Sequence, residues 1–250
     1  MELAGAVVAV TGATRGIGRS TVLLLAGRGA RVVCVGRDPE AARDVARQAG
    51  GSWLALDLRD PASAEQVVAH ALREHGRLDA LVAGAGLGHV GDLADMPAAL
   101  IEELVEVNLL SPMLLARACL PVMRDQGRGS LLFVTSIAGA LGVPGESVYS
   151  ATKAAVEVFA DALREEVRED GLTVTTVLPA VVDTDFLAAR ARPYDRRLPR
   201  PVPPEHIARE VVRALERGSR RQVRPRWLRV PMTLRAVAPA VYRTLERRWG

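Results

Sequence analysis

Six short runs of apolar, largely β-branched residues alternate with longer stretches of helical period, and this alternation constrains the fold more than any other feature of the chain. The runs cover residues 6–11, 31–35, 52–56, 80–83, 130–135 and 173–178. Each is nearly continuous in apolar character, which suits parallel strands buried on both faces. Helical patterns fall between or after them, over 16–27, 39–48, 61–75, 98–125, 148–170 and 206–217. Strand–helix alternation implies right-handed βαβ units, hence an α/β fold with one doubly wound parallel sheet and helices on both faces. A last strand near 222–223 is weakly signalled. A length of 250 residues, 49% hydrophobic and 25% charged, suits one domain with a sizeable core.

The first run closes in Thr11-Gly12-Ala13-Thr14-Arg15-Gly16-Ile17-Gly18. Glycines there permit a tight turn and close backbone approach, and the following helix turns its free N–H groups toward an anion. This predicts a dinucleotide turn of GxxxGxG spacing, with Gly12, Thr14, Arg15, Gly16, Ile17 and Gly18 at the phosphates. After the second run, Gly36 stands where a ribose-binding acid is expected for NAD, and Arg37 follows. Two guanidinium groups, Arg15 and Arg37, suit a 2′-phosphate, which favours NADP(H) over NAD(H). The alternative is a solvated Arg37 beside an Asp38 that caps the next helix. Asp57 and Leu58, after the third run, are expected at the adenine.

Of 33 basic residues, 32 are arginine and one is a lysine, Lys153. It lies four residues after Tyr149, on the same helix face. An ammonium beside a phenol favours phenolate and is expected to lower the tyrosine pKa, giving an acid/base usable near neutral pH. Ser136 sits at the C-terminal end of a buried run, the edge of a parallel sheet that holds ligands. Asn108 is an amide within an apolar stretch and needs partners.

Together these residues make the chain resemble the short-chain dehydrogenase/reductase family from about residue 6 to 218. The resemblance rests on TGATRGIG, Asp57-Leu58, Ala83–Gly86, Asn108, Ser136, Tyr149-x-x-x-Lys153 and the stretch 179–184. It implies a Rossmann-like fold and hydride transfer between a nicotinamide and a carbonyl/alcohol carbon. Tyr149 would be the acid/base, and Ser136 would orient the substrate oxygen. Lys153 would bind the nicotinamide ribose, and Asn108 would hold a water that relays protons. Ala83, Gly84 and Ala85 would approach the cofactor by backbone, and Pro179, Val182 and Thr184 would meet its carboxamide end. Two departures stand out. The usual Asn-Asn-Ala-Gly is Ala83-Gly84-Ala85-Gly86, which removes side-chain bracing of the sheet, and the usual Pro-Gly is Pro179-Ala180.

Residues 186–204 are expected to form a substrate lid, whose arginines either meet an anionic substrate or face water. Residues 219–250 form a basic, amphipathic extension beyond a catalytic domain at 1–218, with nine arginines against one acid, Glu246. It either packs on the domain or a partner subunit and closes the pocket, or lies on anionic membrane. Both readings favour an apolar carbonyl or alcohol substrate. No nucleic-acid motif accompanies the charge, no histidine or cysteine has metal-ligand spacing, and no run is long enough to span a bilayer. His89, after the Ala83–Gly86 turn, is a candidate for the pocket. Cys34 and Cys119 read as buried, reduced thiols of a cytoplasmic protein, and the resemblance implies a homo-oligomer. Three functions stay in play: an NADP(H)-dependent carbonyl reductase, an NAD-dependent alcohol dehydrogenase of the same fold, and a non-catalytic nucleotide-binding scaffold.

Overall fold

The structure, a computed structural model, describes residues 1–190, 192, 194 and 198–249. Of the expected lid, Ala191, Pro193, Asp195, Arg196 and Arg197 lie outside the described residues. Seven strands form one sheet: β1 (Val7–Thr11), β2 (Arg31–Gly36), β3 (Ser52–Ala55), β4 (Ala80–Ala83), β5 (Gly129–Val134), β6 (Leu172–Pro179) and β7 (Arg221–Arg224). Their spatial order is β3-β2-β1-β4-β5-β6-β7, and every pairing is parallel. The order reverses between β1 and β4, which opens a crevice at the C-terminal edge of the sheet.

The helices are α1 (Gly16–Ala26), α2 (Pro39–Ala49), α3 (Ser63–His75), α4 (Ala98–Val105), α5 (Ser111–Asp125), α6 (Ile137–Leu141), α7 (Ser147–Glu166), α8 (Asp185–Ala188), α9 (Pro204–Arg217), α10 (Arg229–Val237) and α11 (Pro239–Trp249). Alternate strand residues point to opposite faces, so the sheet feeds two cores. On one face Val7, Ala9, Leu81, Leu131 and Phe133 pack against α3, α5 and α7. On the other, Val8, Val10, Val32, Val82 and Leu132 pack against α1, α2 and α9. Each fully buried side chain of this kind contributes about 1.5–3 kcal/mol, which fixes the sheet edge on which the loops are mounted.

Two differences from the sequence reading matter for the site. The single helix expected over 98–125 is interrupted by a π-helical turn, Glu106–Leu110, that carries Asn108. Pro112 follows it near the start of α5, where no intrahelical N–H is needed. The sheet also runs past residue 218, the expected end of the catalytic domain: the weakly signalled last strand forms as β7, which pairs with β6 and buries Val223.

Candidate active site

The turn after β1 depends on missing side chains. Gly12 has φ +67°, and a Cβ there would lie 2.9 Å from Ala85 Cα. A Cβ on Gly18 would collide with the Gly12 carbonyl oxygen. Gly16 has φ +53° and a Cβ there would sit 3.0 Å from Thr184 Cγ2, so the turn and the loop after β6 face each other closely. Ile17, Gly84 and Thr184 wall the same cavity. No side chain caps the N-terminus of α1, which leaves first-turn N–H groups and the positive end of the helix dipole for an anion. This cradle fits the pyrophosphate of a dinucleotide.

The loss of amides at Ala83 and Gly84 does not leave the β4 turn unbraced. Thr11 Oγ1 accepts hydrogen bonds from the N–H groups of Gly84 (3.2 Å) and Ala85 (3.3 Å). The bracing comes from the end of β1.

Beyond β2, a Cβ on Gly36 would collide with Thr14 Cγ2. Thr14 thus occupies the space that an acidic side chain at position 36 would need. Asp38 does cap α2, accepting from Glu40 N–H and Ala41 N–H. Arg15 is exposed. Arg37 Nη1 lies 4.0 Å from Glu103 Oε1, and Arg59 Nη1 lies 3.6 Å from the same oxygen. Arg59 also grips Asp57, with contacts of 3.0–3.1 Å from Nε and 2.5 Å from Nη2. The Arg59 guanidinium holds the Asp57 carboxyl below its ordinary range. The Asp57 carboxylate expected at an adenine is therefore engaged by its own loop, with Leu58 partly buried between the two.

The proton-handling residues converge from three elements. Ser136 follows β5 and caps α6, its Oγ accepting from Ala138 N–H at 3.1 Å. It also stands beside the Tyr149 phenol, where it favours the ionised form. A Cβ on Gly139 would lie 2.7 Å from Ala154 N, so glycine lets α6 lie directly on α7 and brings Ser136 to Tyr149. Lys153, one turn further along α7, donates from Nζ to Val134 O at 3.3 Å. Asn108 Oδ1 accepts from Leu87 N–H at 2.8 Å, and its Nδ2 donates to Leu87 O (2.9 Å) and Thr152 Oγ1 (3.4 Å). Both amide hydrogens are thus used within the protein, and the residue joins the π-turn to the β4 loop and α7. A Cβ on Gly86 would lie 3.1 Å from Asn108 Oδ1 and 3.4 Å from Lys153 Nζ.

The electrostatics correct one expectation. The Tyr149 phenol is not lowered but pushed up to about 12: burial is the largest cause, and Glu146 adds to it, while Ser136 and Arg190 oppose it. Burial likewise pushes Lys153 down to about 8. Removing both groups from water outweighs their mutual effect, because each charged form loses its hydration.

Tyr149, Ser136, Lys153, Pro179, Val182 and Thr184 line a cavity of about 590 Å³. Leu141, Val143, Phe186, Leu187 and Leu228 make much of it apolar. The Phe186 ring stands 5.8 Å from that of Tyr149. A Cβ on Gly88 would lie 2.5 Å from Phe186 Cζ and 3.2 Å from Arg190 Cγ, so Gly88 seats the segment that follows Thr184. Arg190 Nη2 donates to Glu146 Oε1 at 2.6 Å, with both side chains 11% exposed. Glu146, Arg190 and Arg59 were not singled out in the sequence. His89 lines a separate small pocket behind Tyr149. Both cysteines are buried, and burial pushes each thiol up to about 12. Among the described residues no cluster of metal-ligating side chains occurs.

An open parallel sheet with a glycine cradle at its switch point, and a serine, tyrosine and lysine converging beyond it, describes a short-chain dehydrogenase. The chain belongs to that oxidoreductase family, whose profile, short chain dehydrogenase, matches residues 6–195. It is 33% identical over 193 residues to Dehydrogenase/reductase SDR family member 7B of Mus musculus, covering 74% of this chain and 60% of that protein. The chain therefore spans about three-fifths of the length of that relative. It is 34% identical over 191 residues to 3-oxoacyl-(acyl-carrier-protein) reductase FabG of Escherichia coli (strain K12), covering 76% of this chain and 78% of that one.

Proposed function

We propose that the protein is an NADP(H)-dependent reductase of carbonyl compounds, with Tyr149 as the proton donor and a largely apolar substrate. The observation that carries this reading is the convergence of Ser136, Tyr149 and Lys153, all three buried, on the wall of one cavity. The bound nicotinamide would supply the hydride. Ser136 would hold the carbonyl oxygen by a hydrogen bond. Tyr149 would give its phenolic proton to that oxygen as the carbon is reduced, leaving a phenolate and an alcohol. A phenol held at about 12 keeps its proton at neutral pH, which favours the acid role and hence reduction. Lys153, at about 8, is mostly ammonium at pH 7 and would stabilise the phenolate. Reprotonation would pass through Lys153 and a water near Asn108. Because the Asn108 amide is used up, that water would be held by the backbone rather than the side chain.

Arg37 supports NADP(H), and Arg59 adds a second guanidinium beside it. Thr14 filling the space at position 36 is consistent with the absence of an acid there. The apolar walls support a lipophilic substrate. The similarity to a 3-oxoacyl reductase supports a ketone on an acyl-like chain. In this reading residues 1–218 are the catalytic unit and the extension after them contributes Leu228 to the cavity wall.

The test is calorimetric titration with NADPH and NADH side by side, followed by NADPH consumption against a panel of medium-chain ketones. Tighter NADPH binding with turnover of apolar ketones is expected. Tight binding without turnover of any ketone or alcohol would overturn the reading in favour of a nucleotide-binding scaffold.

A further inference from the structure

The extension carries an unpartnered surface. Helix α10 has no buried residue, and α11 packs against α10. The pair is tied to the domain by a few contacts at its base. Leu228 is buried with Ile137, Leu178 and Val223, Met232 packs on the same cluster, and Arg235 Nη1 donates to Ala140 O at 3.1 Å. Beyond that base each helix exposes an apolar row at helical spacing: Val230 and Val237 on α10, Val241 and Leu245 on α11, with Trp227 just before them. Val230 and Val237 are 70% and 76% exposed. Arginines 226, 229, 235 and 243 are exposed among them, and residues 219–245 contain no acid.

We infer that α10 and α11 form a docking surface for an anionic lipid bilayer. A protein partner could cover an apolar row, but a segment with nine arginines against a single acid, Glu246, favours a partner that is negatively charged and laterally adaptable. An anionic leaflet answers both needs, because it attracts juxtamembrane cations and accepts apolar side chains at the headgroup boundary. No helix among the described residues is long and apolar enough to cross a membrane, so the pair lies on the surface. Pro231 lies in the first turn of α10 and Pro239 opens α11, so the pair is two short helices that can follow such a surface. The base of the pair is also the cavity wall, through Leu228 and the α6 residues Ile137 and Ala138. Docking thus sets the cavity beside the lipid, where an apolar substrate is concentrated.

The full chain is mixed with vesicles of phosphatidylcholine alone or with roughly a third phosphatidylglycerol, and the bound fraction is read by flotation. At least about tenfold more protein should float with the anionic vesicles, and raised salt should remove most of it. The double variant Val237→Asp, Val241→Asp changes only exposed side chains and should abolish flotation while leaving the thermal midpoint and the sedimentation coefficient of the free protein as in the wild type. Equal binding to both vesicle types, or none to either, overturns the inference. So does a double variant that floats normally. If that variant instead turns a dimer into a monomer, with no lipid binding by the wild type, the surface belongs to a second copy of the chain and the membrane assignment is wrong.

Discussion

Lys153 Nζ stands 5.9 Å from the centre of the Tyr149 ring, one helical turn along α7, with both side chains buried. Burial drives their proton affinities toward the neutral forms, Tyr149 to about 12 and Lys153 to about 8. Stability should follow. From pH 8 to 10.5 the unfolded chain keeps a lysine proton that the folded chain has released, so stability rises with pH, by at most ~1.4 kcal/mol per unit. Between 10 and 12 the folded chain keeps a tyrosine proton that the unfolded chain has lost, so stability falls again. In Lys153→Met the rising limb should disappear. Urea midpoints from about pH 7.5 to 9.5 measure it, and an unchanged rise in the variant would assign it to another group.

Glu103 draws on both Arg37 and Arg59. A 2′-phosphate would compete with that carboxylate for the same guanidinium groups. Glu103→Gln should therefore strengthen NADPH binding by about two- to fivefold, the scale of exposed ion pairs, and leave NADH unchanged. Arg37→Ala should weaken NADPH about 10- to 100-fold relative to NADH. Calorimetry on the wild type and the two variants with each cofactor decides; equal effects on the two cofactors would remove both residues from the phosphate site.

Gly88 makes room for Phe186 and Arg190. In Gly88→Val the added side chain should push the segment that follows Thr184 away from Tyr149. The expected outcome is a KM for apolar ketones raised about tenfold or more, the cost of an overpacked contact, with NADPH affinity within about twofold. Parallel losses in cofactor and substrate binding would mean a general disturbance of the fold.

Strands β1, β2, β4, β5 and β6 are legible in the sequence because burial on both faces makes each a nearly unbroken apolar run, and β3, partly buried at the sheet edge, still reads as a short apolar run. Strand β7 is legible only weakly, since only Val223 of its four residues is buried. Helix α6, with five residues, is too short to show a period. The π-turn at Asn108 hides inside a continuous helical pattern, because its apolar neighbours read the same in either winding. Tyr149 and Lys153 are legible because one helix sets their spacing. Arg190 and Glu146 are 44 residues apart and meet only where the segment after Thr184 folds back over the start of α7. Arg59 is similar: its place beside Arg37 depends on β2 and β3 being neighbours. Local chemistry was readable, whereas pairings made by topology were not. The tyrosine proton affinity was misjudged for a related reason, since the sequence shows a nearby lysine but not how completely both are buried.

The most direct measurement is single-turnover reduction of an apolar ketone by Tyr149→Phe preloaded with NADPH. The variant keeps the ring that packs on Phe186 and loses only the hydroxyl beside Ser136. The expected result is a rate lower by about 10²–10⁴, the contribution of a positioned proton donor, with NADPH affinity within about threefold of the wild type. A variant that keeps most of its rate would contradict the account, because the proton would then come from another group.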